Sequence, residues 1–194
     1  MARPDKIIYL DNNATTAVDP RVVSAMLSTF SEHYGNPASE THALGWYAEE
    51  LVSIAREQVA KLIGAEPGEI IFTSGATEAN NLGIKGIVKA FRRSHGEVLP
   101  QVVTFEPEHR AVLDPVEYLD ETEEARALIL GVSSEGAANL ANLQAVLTEQ
   151  TALIALMLAN NEIGTVQVSE VQQVAALAGK VAGGRALIFC DATQ

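Results

Sequence analysis

Apolar residues first recur every three or four positions along two stretches near the start of the chain, then gather into short unbroken runs. Val22, Val23, Met26, Leu27 and Phe30 share one helical face behind Asp19-Pro20, an N-cap followed by proline at the first helical position. A second helix is predicted over 44–63, with Leu51, Ile54, Ala55, Val59 and Leu62 facing inward and Gly64 as its stop. A short strand is expected over 69–73, broken at Ser74-Gly75, with helix resuming near Ala76 and continuing to Phe91. Further apolar runs at 101–105, 127–132, 151–158 and 186–190 predict strands. Helices are expected over 140–147 and 169–181, the latter opened by Ser169 and Gln172 at capping-box spacing. Val102-Val103 and Leu128-Ile129-Leu130 lack the alternation of a half-solvated sheet, so both faces of those strands are expected to be covered. The pattern points to an α/β fold with a mostly parallel sheet and helices on both faces.

Composition narrows the picture. A chain of 194 residues can build one sizeable α/β domain, and an apolar fraction of 47% excludes disorder. No uninterrupted apolar run reaches the roughly 18 residues of a membrane span, and the first residues lack the apolar stretch of a signal peptide. A net charge of −12 argues against nucleic acid as a partner. One cysteine, Cys190, excludes an internal disulfide framework and a thiolate-only metal site, and suits a reducing, cytoplasmic setting. No repeat, low-complexity tract or linker interrupts the chain.

Polar residues cluster where the predicted strands end. The segment 72–81, FTSGATEANN, joins a strand to a helix through small and hydroxyl residues. Its free backbone N–H groups and positive helix end suit a phosphate, with Gly75 allowing close approach and the Thr77 hydroxyl adding a donor, although an ordinary capped junction has the same composition. His109 follows the 101–105 run, where an imidazole could stack on an aromatic ring or move a proton; it also suits a plain polar loop. Asn160-Asn161 follow the longest apolar run and offer neutral donors and acceptors, or a simple turn. Asp191 ends the last run, at the strand end where open α/β sheets bind ligands.

Six segments in order carry a resemblance: YLDNNATT (9–16), YGNPAS (34–39), EIIFTSGATEANNLGIKG (69–86), EHRAVL (108–113), ANNEIGTVQ (159–167) and DATQ (191–194). Together they closely resemble the N-terminal half of the pyridoxal-phosphate-dependent cysteine desulfurases, in the class V aminotransferase superfamily. The resemblance implies a fold-type I large domain, incomplete at its C-terminus, over 17–194, with 1–16 associated with a smaller domain. It implies phosphate contacts at Ala76 and Thr77 with Gly75 in the turn, ring stacking and catalysis by His109, and a pyridinium salt bridge from Asp191. Gln194 would bond the phenolic oxygen, Asn161 would lie beside ring and substrate, and no metal is implied. The implied reaction takes sulfur from L-cysteine, leaving alanine and an enzyme persulfide for iron–sulfur cluster assembly. Implied partners are a sulfur-acceptor or scaffold protein and a second copy in a homodimer.

In that family the Schiff-base lysine lies in a Ser-x-His-Lys segment downstream of the aspartate motif, and the persulfide cysteine lies further on. Lys6, Lys61, Lys85, Lys89 and Lys180 have no such context, with Lys85 and Lys89 reading as solvent-facing helix positions. The resemblance therefore implies that these 194 residues alone do not turn over cysteine. Cys190 is expected to pack in the core, on the opposite sheet face from Asp191. Pro107 stands where the family often has threonine, with little expected consequence. Strands expected downstream would complete the sheet, so the isolated chain is expected to be poorly soluble or to need a complementing chain. Alternatives are a non-catalytic subunit that pairs with a full-length desulfurase, and a related enzyme such as a selenocysteine lyase or aminotransferase.

Overall fold

A computed structural model describes residues 7–181 and 186–194, and the chain divides into two compact units, Met1–Phe72 and Thr73–Gln194. In the first unit, the segment before the first helix makes a turn closed by Ala14 N–H on the Asp11 carbonyl at 3.2 Å. Helix α1 (Pro20–Ser31) starts as its sequence dictates, with the Asp19 carboxylate accepting from Arg21 N at 2.8 Å. Helix α2 (Ala43–Ile63) stops at Gly64, whose φ of 72° lies in the left-handed region that glycine enters at least cost. The apolar faces of these helices are open among the described residues. α1 has no buried residue, and Leu51, Ile54, Val59 and Leu62 of α2 are exposed while Ala48 and Ala60 are buried. Helical periodicity identifies residues that share a face; it does not supply the surface that covers them.

The strand expected over 69–73 is also corrected. Pro67–Glu69 forms a short 3₁₀ turn, and the residues after it pair with no strand among the described residues. A side chain holds them instead. The Arg56 guanidinium donates to the Ile70 carbonyl and lies 5.0 Å from the Phe72 ring centroid.

The second unit runs α3 (Ala76–His95), β1 (Gln101–Phe105), α4 (Arg110–Glu121), β2 (Arg126–Leu130), α5 (Leu140–Val146), β3 (Thr151–Met157), α6 (Val168–Val181) and β4 (Leu187–Asp191). Among the described residues the four strands pair in parallel, in the order β2-β1-β3-β4. β1 and β3 are buried along their whole length. Ile84 and Val88 of α3 and Val112, Val116 and Leu119 of α4 cover Val102 and Leu153 on one face. On the other, Leu143 of α5 and Val174 and Ala178 of α6 cover Val103, Phe105, Ile154 and Leu156. Neighbouring strand residues thus supply opposite cores, which is why their run is continuously apolar.

The α/β expectation holds, with local departures. β2 lies at an edge and leaves Ile129 exposed, so of the two runs expected to have both faces covered, that of β1 does and that of β2 does not among the described residues. α6 begins one residue before Ser169, whose hydroxyl donates to Glu170 rather than serving as the cap. Cys190 is exposed rather than packed in the core. Alternation does put it opposite Asp191, but β4 is the other edge of the described sheet.

α3 lies close against β4. A Cβ at Gly83 would come within 2.5 Å of the Phe189 ring, whereas one at Gly86 on the same helix meets nothing within 4 Å. Gly86→Ala should therefore stabilise the chain by up to about 1 kcal/mol through helix propensity. Gly83→Val should cost roughly 1–3 kcal/mol by overpacking. Chemical unfolding followed by far-ultraviolet circular dichroism checks the contrast, which fails if the two changes act alike.

Candidate active site

A parallel sheet sends every strand C-terminus to one edge, and here the chain leaves three strands through polar residues. β1 is followed by Glu108 and His109, β3 by Asn160 and Asn161, and β4 ends on Asp191. Side chains bind these exits together. Glu108 Oε1 accepts from Met157 N at 2.7 Å, and Asn160 Nδ2 donates to the Pro107 carbonyl at 2.8 Å. Met157 pairs in register with Asp191, whose carbonyl accepts from Leu158 N at 2.8 Å. Gln167 completes the frame, accepting from Ala138 N at 2.8 Å and donating to the Met157 carbonyl at 3.3 Å. The ends of β1, β3 and β4 therefore form one braced surface, with the β1–β3 crevice at a topological switch point.

The N-terminus of α3 reaches this surface. Asn80 Nδ2 donates to Asp191 Oδ2 at 2.9 Å across 111 residues of sequence, and Thr77 precedes Asn80 by one helical turn. The first helical bond runs from Ala79 N to the Gly75 carbonyl at 3.1 Å, so the helix itself uses none of the N–H groups of Ala76, Thr77 and Glu78. Glu78 turns back to the preceding loop, its Oε2 accepting from Ser74 N at 2.7 Å and Ser74 Oγ at 2.6 Å. Those bonds, from the hydroxyl first and then the backbone, hold its carboxyl below the usual range. Beside Gly75 the space is open. The four strand ends expected from sequence are thus three strand ends and one helix N-terminus.

His109 caps α4, with Nδ1 accepting from Ala111 N at 3.0 Å. That bond puts the neutral ring's proton on Nε2, and the residue remains exposed. Asp191 is half-buried, and burial by itself would raise its carboxyl. Hydrogen bonds from the Thr193 hydroxyl at 2.6 Å, from Asn80 and from Thr193 N at 3.1 Å outweigh that effect. The net result is a carboxyl held below its ordinary value, one that stays ionised. Asn161 is half-buried beside the buried Asn160, while Thr77 and Gln194 are exposed. Asn80, Glu108 and Thr193 escaped the sequence reading. Only their adjacency to Thr77, His109 and Asp191 could have signalled them.

Comparison with known proteins fits this arrangement. The sequence profile described as aminotransferase class-V matches residues 8–194. The chain belongs to that family. A mitosomal cysteine desulfurase of Trachipleistophora hominis is 47% identical over 188 residues, a match covering 96% of this chain and 41% of the relative. Cysteine desulfurase IscS of Pectobacterium carotovorum is 45% identical over 190 residues, covering 96% of this chain and 44% of the relative. The chain thus spans less than half the length of these curated relatives. A solved "NIFS-like protein" superposes with a TM-score of 0.86 at 38% identity, over 95% of this chain and 48% of that one. A structure described as "SspA in complex with cysteine" gives 0.82 at 30% identity, over 95% and 50%. The fold is that of the cysteine desulfurase large domain, as its sequence led us to expect.

Glu108 supplies a measurable property of this site. It is 6% exposed, and Oε2 has no hydrogen-bond partner among the described residues. Burial pushes its carboxyl up to about 7, opposed by the Met157 N–H and reinforced by the charge of Asp191. Because the folded value is raised, the folded chain binds the proton more tightly than the unfolded chain. The stabilisation is full below the unfolded value near 4.5 and is lost as pH rises through about 7. Stability should fall over that window by at most about 3 kcal/mol from this group, and Glu108→Gln should remove the slope. Urea unfolding at a series of pH values checks this; an unchanged slope in the variant rejects the assignment to Glu108.

Proposed function

We propose that this chain carries the pyridoxal-phosphate-binding portion of a cysteine desulfurase. The observation that carries the reading is that α3 offers N–H groups at its first turn and, one turn on, hydrogen-bonds Asp191. An anion-binding helix end and an ionised carboxylate are thereby linked through one rigid element, as a ligand with a phosphate and a basic ring nitrogen requires. The residues fit that cofactor. Asp191 accepts three hydrogen bonds from Asn80 and Thr193, leaving one of its roughly four acceptor positions for a ring N–H. Gly75, Ala76 and Thr77 would hold the phosphate, with open space beside Gly75. When bound, the cofactor supplies an electron sink for a substrate carbanion.

The chain's own residues bind and orient. Asp191 would hold a proton at the ring nitrogen, and the exposed face of His109 would stack on the ring while its Nδ1 stays committed to the α4 cap. Asn161 and Gln194 contribute polar contacts to the ring's phenolic side and to substrate. We assign L-cysteine as substrate, with its sulfur passing to a cysteine thiol outside these residues and then to an acceptor protein. The relative with cysteine in its structure title supports a substrate of that size. Cys190 is a poor candidate for the sulfur carrier, because partial desolvation of its sulfur in an otherwise exposed residue, then Asp191 and Glu108, push its thiol up and away from the reactive thiolate. Lys85 is already placed over the Tyr118 ring at 4.6 Å, away from a Schiff-base role. The same reading includes a homodimer in the cytoplasm and association of 1–16, of which 1–6 lie outside the described residues, with a second, smaller domain. Among the described residues no helix is long and apolar enough to cross a membrane.

Titration of the 194-residue chain with pyridoxal phosphate tests the proposal. Saturable binding is expected, weakened about tenfold or more by Asp191→Asn and several-fold by Thr77→Ala. Borohydride reduction and mass spectrometry should find no lysine stoichiometrically trapped. Failure to bind, or variants that bind as well as the parent, would refute the cofactor reading.

A further inference from the structure

Nothing in the resemblance assigns a role to Asn80. It is 4% exposed, in the second turn of α3, and its side chain points to the sheet edge rather than to solvent. The helix that carries it is immobilised from below. Ile84 and Val88 are fully buried against Val102 and Leu153, and Gly83 lets the helix approach Phe189 two residues before Asp191. Thr193 independently holds Oδ1 of the same carboxylate through its hydroxyl and its backbone N–H. The carboxylate is therefore gripped at both oxygens, from two different elements.

Resting on the cofactor reading above, we propose that Asn80 is the positioning residue for Asp191, locking the carboxylate plane to the helix whose first turn takes the phosphate. Asparagine suits this task chemically. Its amide donates to Oδ2 without adding charge, and it leaves the second acceptor position of that oxygen for another donor. An aspartate there would set two carboxylates within hydrogen-bond distance and force one to take a proton. A leucine would fill similar space and donate nothing. Asn80 touches neither phosphate nor ring in this scheme; it acts through Asp191, and it sets the separation between the two ends of the ligand.

Two variants and two readouts test the proposal. The titratable groups around Asp191 are Glu108 and His109 at the β1 exit and Cys190 beside it, so its carboxyl must be followed individually, by carbon-13 NMR. In the chain without added cofactor, Asn80→Leu should raise the Asp191 midpoint, because a donor to the ionised form is lost. Asn80→Asp should raise an apparent midpoint further, through a shared proton. With pyridoxal phosphate, Asn80→Leu should bind about tenfold more weakly while α3 keeps its amide exchange protection. If one variant does not fold, the other carries the same titration test. An Asp191 midpoint unmoved in a folded variant overturns the proposal and leaves the cofactor reading standing. A shifted midpoint together with a parent chain that binds no pyridoxal phosphate upholds the Asn80 grip and overturns the cofactor reading.

Discussion

The close approach of α3 to β4 is the constraint on which the rest of the site depends. A glycine at position 83 removes the side chain that would strike Phe189, and Asn80 three residues earlier then reaches Asp191. Helical geometry does the remainder, since residues three apart share a face. Thr77, Asn80 and Gly83 form one line that runs from the open first turn to the packed middle of the helix. The same helix is anchored by Ile84 and Val88, each removed from water at a gain of about 1.5–3 kcal/mol. Positioning energy for a polar site thus comes from apolar burial a turn or two away.

The second requirement is a rigid strand edge. Past the β1 side of the β3 ladder, whose last register pair is Val103 with Ile154, the Met157 N–H and carbonyl need partners in a buried place. Glu108 satisfies its N–H and Gln167 its carbonyl, so the strand end is braced by side chains from the β1 exit and the segment before α6. Asn160 ties the same region to Pro107. The arrangement leaves Glu108 with one oxygen lacking a partner among the described residues, beside an aspartate that the fold works to keep ionised. Two neighbouring carboxyls are pushed in opposite directions because one is buried with a single donor and the other accepts three hydrogen bonds. Divergence of that kind is common where a site must hold a proton and a charge side by side.

Much of the fold was legible. Spans for α1, α2, β1 and β3 follow from periodicity and caps, because local backbone preferences and binary pattern agree there. Asp19 caps through a carboxylate bonded two residues on, and Pro20 and Gly64 act through their own backbone geometry, so none needs a tertiary partner. The errors cluster where a partner decides. The apolar run 69–73 became an extended segment held by Arg56, since a strand exists only when another strand pairs with it. Cys190 and the apolar stripe of α1 carry a core-like pattern but have no covering surface among the described residues.

For the site, the resemblance carried by motifs in their order implied a phosphate end at Gly75–Thr77, ring stacking by His109 and a pyridinium partner at Asp191. What the tertiary structure alone decided is which groups act on one another: that Asn80 grips Asp191, that Glu108 holds Met157, and that Thr193 closes on the carboxylate it follows. Those contacts join residues up to 111 positions apart, and no local pattern encodes a distance that only the packing of α3 and three strands can set.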